Sequence, residues 1–320
     1  MTGESEREEE APASRHALRR VLLGAVVLLA AGLGLYYGVG MLLIQAIDDD
    51  PDFAAADPAP GASRTVALAA ALIEREVDTH RWVASDPFFL PGALLDDMPN
   101  FQTGIVAALA RVVAGLGDQA ARPGGKGKSD PDLDRAAGLL KYPGSTWIVD
   151  IGAGFQPTAS AQGQYRTARK TLLAYNDRLL AQKAVFEPRA DALLAILDRV
   201  GADIDAAVTA LDRQVAGSSG NLLDFAADDV FYAVKGRLYA YALLLRELGR
   251  DGQAAIGEHD AGEAWSRMLT ALREAAALRP WIVVNGGPDS MLLPSHLVAL
   301  GYYTARARLR LTQAADLLRK

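Results

Sequence analysis

Apolar and polar positions divide the 320-residue chain into stretches of different rhythm. From Val21 to Ile47 no residue is charged. A bilayer core needs about 20 apolar residues in helix, so this stretch predicts a transmembrane helix. From Asp48 to Ser63 the pattern gives way to Pro, Ala and Asp, which predicts a linker. Beyond it, apolar residues recur at helical spacing. Val66, Ala69, Ala70, Ile73 and Val77 share one face of a helix expected from Arg64 to about Asp78, and a second helix is expected from near Thr103. Ala121–Asp132 is a Gly/Pro-rich break, with Ser129 or Asp130 placed to cap the helix that follows.

Tyr165, Ala168, Leu172, Tyr175 and Leu179 alternate steps of three and four, and Leu193, Ile196 and Val200 carry the same register onward. Pro188 lies between the two sets. It removes a helical hydrogen bond, so the chain either kinks or turns back there, and the carried register favours one long, Pro-kinked helix from near Ser160 to Ala216 over a hairpin. Further helices are expected over 224–250, 260–278 and 292–320. Phe225, Phe231, Tyr232, Tyr239 and Tyr241 on the first of these read as a core face. Trp82, Trp147 and Trp281 each open a short run that ends in a turn signal, and the last two runs are candidates for short strands. The three are expected to gather at one end of the bundle. The fold class is therefore mainly α. A transmembrane helix at 21–47 and a linker at 48–63 precede a bundle-like helical domain at 64–320, with at most two short strands.

Charge gives the span a direction. Arg15, Arg19 and Arg20 precede it and Asp48, Asp49 and Asp50 follow it. Basic residues favour the cytoplasmic side, so residues 1–20 are expected inside and the domain outside, with Tyr36 and Tyr37 near the outer interface. A cleavable signal peptide would have a shorter apolar core, of about 7–15 residues. Gly34 and Gly38 form a GxxxG spacing that would let two spans pack as a homodimer. The acidic head Glu4–Glu10 reads as a solvated tail. A net charge of −6 argues against nucleic-acid binding. With no cysteine, thiolate catalysis and disulfides are excluded.

Candidate chemistry concentrates in VDTHRWVASDPFFLPGALLDDMPNFQTGI, Val77–Ile105. His80 with Asp78 and Asp86 (Asp96 and Asp97 lie further on) offers the residue types of an acid–base or metal site, although the spacing matches no metal motif. Trp82, Phe88, Phe89, Met98 and Phe101 offer either a stiff aromatic binding surface between prolines or the closure of a core. His259 and Glu263 lie one helical turn apart, but Asp260 and Glu263 fit a capping box. Asp289, Ser290 and His296 lack a nucleophile elbow. Ser290 or Ser295 is placed to cap the last helix. Gly152 and Gly154 lack the third glycine of a dinucleotide loop.

The Val77–Ile105 run, with FEPRADALLAILDRV from Phe186 and WIVVNGGPDSMLLPSHL from Trp281, resembles a family of bacterial membrane-anchored proteins catalogued as a domain of unknown function. The resemblance extends from about Arg64 onward and implies a Gram-negative inner-membrane protein. It implies no catalytic or binding residue. The expectation is a single-pass inner-membrane protein with a periplasmic domain. Its expected role is a non-enzymatic scaffold for an envelope protein partner, with Trp82, Phe88, Phe89, Met98, Phe101, Trp147, Trp281 and Met291 as the contact surface. No cofactor or metal is expected. The alternatives are an envelope hydrolase or metal-dependent enzyme built on His80, Asp78 and Asp86, and a periplasmic ligand sensor.

Overall fold

The computed structural model describes residues 13–45, 47–120, 129–150, 152, 154–218, 225–280, 282–287 and 294–320. Ten α-helices, one π-turn, one 3-10 turn (Pro91–Leu94) and one two-stranded hairpin make up the regular structure among them. Helix α1, Ala13–Ile44, contains one segment long and apolar enough to cross a membrane, Ala17–Ile44. The acidic head lies outside the described residues.

Helix α2, Arg64–Glu74, is capped by Ser63, whose hydroxyl accepts from the Val66 amide. Its last turn widens into a π-turn, Arg75–Thr79. The five apolar positions expected on one face, Val66 through Val77, are all buried. Helix α3, Asp97–Ala120, starts six residues before the Thr103 expected from sequence. Pro99 falls in its first turn, where a missing N–H breaks no helical bond, so the proline does not delay the helix. Helix α4, Pro131–Leu140, takes Asp130 as its cap. The Ser129 hydroxyl instead bonds Asp134 and the Gly117 carbonyl. The hairpin follows, β1 Val149–Asp150 against β2 Gln156–Pro157. Its turn carries Gly154 at φ +80°, so the Gly152/Gly154 pair serves a hairpin.

The expected single helix through Pro188 is corrected. Helix α5, Ala161–Leu180, and helix α6, Ala190–Ser218, are separate. Gln182 takes φ +57° and the Arg178 carbonyl accepts from both Lys183 and Ala184, which closes α5 before the proline is reached. Both apolar sets are still buried, but α5 packs on α2 and α4 while α6 packs on α10 and α3. A shared register therefore did not mean a shared helix.

Helix α7, Phe225–Asp251, is the spine. It lies on α3, α9 and α2, and Phe231, Tyr232, Tyr239 and Tyr241 are buried along it as expected. Helix α8, Gln253–Glu258, leads to α9, Gly262–Ala276, through Asp260 at φ +48°. The expected capping box is absent, because Asp260 turns in the left-handed region and Glu263 pairs with Arg267 at 2.6 Å. His259 Nδ1 bonds the Ala255 carbonyl at 3.0 Å and ends α8. Helix α10, His296–Leu318, is capped by Ser295. Asn285 makes an isolated bridge to Ser295 in place of the strand expected after Trp281.

Candidate functional site

The segment expected to be a linker is bound to the helical body along the start of its length, and two sets of cations hold it there. Asp49 is buried. Its carboxylate accepts from Lys235 at 2.6 Å and from Arg279 Nε at 2.9 Å, and pairs again with the second Arg279 nitrogen. Lys235 is itself buried on an otherwise apolar face of α7 and donates twice more, to the carbonyls of Ala276 at 2.9 Å and Leu278 at 2.6 Å. A buried ammonium persists only when its donors find acceptors, and here all three do. Burial pushes Asp49 upward, but the hydrogen bonds and charges of Arg279 and Lys235 outweigh it and hold the carboxyl below its usual value. Burial also lowers Lys235, against the pull of Asp49. The hydrogen bonds that Asp49 and Lys235 share favour the ionised form of each.

A second set holds the residues on either side of Asp49. Arg75 is buried in the π-turn, bonds Tyr239 Oη at 2.7 Å and Glu76 at 2.8 Å, and stands 3.5 Å from Asp48. Its guanidinium lies 4.4 Å from the centre of the Phe53 ring, a stacked cation–π arrangement. Tyr239 donates to the Asp50 carbonyl at 2.8 Å, and Arg246 donates to those of Pro51 and Phe53. A cavity of about 470 Å³ opens beside this junction, lined by Asp48–Pro51, Tyr232, Lys235 and Arg279 among others. At the far end of the segment Asp251 accepts four hydrogen bonds, from Ser63, Arg64 and both donors of Thr65.

The candidate acid–base residues do not converge. Asp78 pairs with Arg166 at 2.6 Å and Asp86 with Arg81 at 2.5 Å. His80 stands between Asp48 at 3.8 Å and Glu76 at 3.9 Å, which approach opposite nitrogens of its ring. Among the described residues no group of three His, Asp or Glu side chains is arranged to hold a metal. His296 Nδ1 accepts from the Val284 amide at 2.9 Å, while Asp289 and Ser290 lie outside the described residues.

The aromatic candidates divide into two groups. Trp82, Met98 and Phe101 are fully buried. The Trp82 indole donates to the Gly144 carbonyl at 2.8 Å and meets Tyr165 edge to face at 4.9 Å. Buried Gln102 fixes the loop from beneath, donating to the carbonyls of Glu76 and Arg81 and accepting from the Val83 amide. Phe88 and Phe89 are 75% and 42% exposed, and Phe89 touches half-buried Trp147 at 5.6 Å. Trp281 and Met291 lie outside the described residues. The loop also meets α1, because Tyr37 donates to the Phe88 carbonyl at 3.1 Å and Tyr36 to that of Phe89 at 3.3 Å. Gln45 donates to Asp97 at 2.5 Å.

The cationic sockets for Asp48 and Asp49 were missed because Asp48–Asp50 had an account already, as the acidic outer flank of a span. The available signal was Lys235, a single lysine among apolar neighbours on α7, which requires a carboxylate from elsewhere.

Residues 60–222, just over half of the chain, match a family described as an uncharacterized protein conserved in bacteria (DUF2333), and the chain belongs to that family. The Trp281–Leu297 run that contributed to the resemblance lies beyond the matched residues. No curated protein and no solved structure matches the chain.

Proposed function

We propose that this member of a bacterial family is an inner-membrane protein held by one span at residues 21–47, its N-terminus cytoplasmic and its helical domain periplasmic. The domain acts as a non-enzymatic scaffold for envelope proteins. Arg19 and Arg20 before the span and Asp48–Asp50 after it support the orientation. The observation that carries the scaffold reading is the gripped junction, with Asp49 held by Lys235 and Arg279 and the Phe53 ring lying against Arg75. Five residues past the apolar helix, at Asp49, the chain is already fixed to Lys235 of α7 and to Arg279 just beyond α9. The domain is therefore held at a set height and attitude over the bilayer, as a platform for assembly requires, and does not swing on a tether.

In-cell photo-crosslinking from Tyr302 and Leu309, both exposed on α10, tests the reading. Repeated capture of one envelope protein is the expected result. Capture of glycan alone would replace the scaffold with a ligand-binding role. An enzyme built on His80, Asp78 and Asp86 is the competing reading, and it would have to break the Arg166–Asp78 and Arg81–Asp86 pairs before those groups could act together.

A further inference from the structure

The exposed phenylalanines occupy a particular place relative to the apolar helix. Phe88 and Phe89 sit at the tip of the loop between the π-turn and α3, and Leu94 on the adjacent 3-10 turn is also exposed. Three contacts tie this tip to α1. Tyr36 and Tyr37 donate to the Phe89 and Phe88 carbonyls. One turn further on, Pro91 packs so closely on Gly40 that a β-carbon there would lie 2.4 Å from the proline ring. From Val21 to Tyr37 is about 24 Å of helix at 1.5 Å per residue. A hydrocarbon core is about 30 Å thick, so a span entering at Val21 leaves the two tyrosines about 6 Å below the outer boundary.

We infer that the Phe88–Phe89 tip, with Leu94, inserts into the outer-leaflet interface of the bilayer as a second membrane contact beside the span; this rests on the single-span reading above. The tip continues the apolar surface of α1 outward, and its backbone carbonyls are already satisfied by the tyrosine hydroxyls, so insertion strands none of those polar groups. Aromatic side chains favour this depth. Trp147, seated on Phe89, extends the same aromatic cluster. The core residues Trp82 and Gln102 hold the loop rigid, so little conformational freedom is lost on insertion. The span and the tip together give two points of attachment and so fix rotation of the domain about the span.

The chain has no cysteine, so a nitroxide can be placed at one position at a time. The full chain carrying Phe88→Cys, Tyr302→Cys or Leu28→Cys would be labelled and reconstituted in phosphatidylethanolamine–phosphatidylglycerol vesicles. Collision with oxygen, which concentrates in lipid, is then compared with collision with a water-soluble nickel chelate. The expected result is an oxygen-to-nickel ratio severalfold higher at residues 28 and 88 than at residue 302, and a fall toward the residue-302 value at 88 when Gly40→Val pushes Pro91 away. A label at 88 as open to nickel as that at 302, while 28 stays in lipid, overturns the inference and leaves the span intact. A label at 88 reached by neither reagent also overturns it, by showing protein over the tip. A label at 28 open to nickel removes the span, and the inference with it.

Discussion

Helix α7 meets its neighbours in two opposite ways. Against the middle of α3 the contact is close-packed and brings backbone to backbone: a β-carbon on Gly104 would fall 2.2 Å from the Ala233 carbonyl, and one on Gly236 2.1 Å from that of Phe101. One residue from Gly236, Lys235 reaches Asp49 in the segment after the apolar helix through a buried charge pair, and spends its other two hydrogen bonds on the Ala276 and Leu278 carbonyls. The first contact is non-directional and leaves no room for a larger residue. The second is directional and can be dismantled one partner at a time. Close packing thus sets the fold, whereas polar pairing sets how the anchor-side segment is attached to it.

The sharpest way to separate the two is to remove the charge. Lys235→Met leaves the Ala276 and Leu278 carbonyls without their donor and Asp49 with Arg279 alone. Breaking a buried pair on one side costs about 3–5 kcal/mol. Thermal unfolding of the detergent-solubilised chain, followed by circular dichroism, should show that loss. Lys235→Met with Asp49→Leu should recover much of it, since an apolar replacement of the whole pair is often close to neutral. A double variant as unstable as the single one would show that the two side chains are not coupled. On the other side of the comparison, Gly236→Ala forces α3 and α7 apart and is expected to cost about 2 kcal/mol with no recovery from any charge change. An unchanged melting temperature would mean that the helices do not approach so closely. Trp82→Phe keeps the ring but removes the donor to Gly144, an expected loss of about 1 kcal/mol. Phe88→Ala in the same loop should stay within about 0.5 kcal/mol in detergent.

The same contrast explains what could be read from the sequence. The apolar faces of α2, α5, α6 and α7 follow from spacing, because burial depends only on which side of a helix a residue occupies. Where helices end depends on less visible things. Gln182 turning left-handed closes α5, and nothing in its residue type announces that. Among the aromatics, composition could not separate Trp82 from Phe88, because what decides their burial is the Gly144 carbonyl and the Gln102 amide beneath the loop. The junction was the least legible part. Asp49 and Lys235 lie 186 positions apart, and no local pattern joins them.

A further prediction concerns a cluster of neighbouring carboxylates. Asp228, at the start of α7, is half-buried and faces Asp97 at the start of α3 and Asp96 just before it, with Asp229 beside it. Burial first, and then the charges of Asp97 and Asp96, push its carboxyl up to about 6, against a hydrogen bond from the Val283 backbone. Asp97 and Asp229 are raised as well, again chiefly by burial, although Gln45 and Asn100 donate to them. A folded state with a raised carboxyl holds a proton that the unfolded chain has already released. The contribution is therefore most favourable below the ordinary value near 4 and falls as pH rises to about 6. Asp228→Asn removes that slope and should raise stability at neutral pH by about 1 kcal/mol, after allowance for the water that half-covers the group. Asp49 has the opposite sign. Its lowered carboxyl stabilises the fold above the ordinary value and loses that contribution as pH falls below it. Unfolding curves for the chain and for Asp228→Asn should therefore diverge between pH 4 and 6, and should run parallel in acid, where the loss of Asp49 is common to both. Curves that stayed parallel throughout would mean that neither burial nor the neighbouring carboxylates raise Asp228 in the fold, and that the polar side of α7 is as well matched there as it is at Lys235.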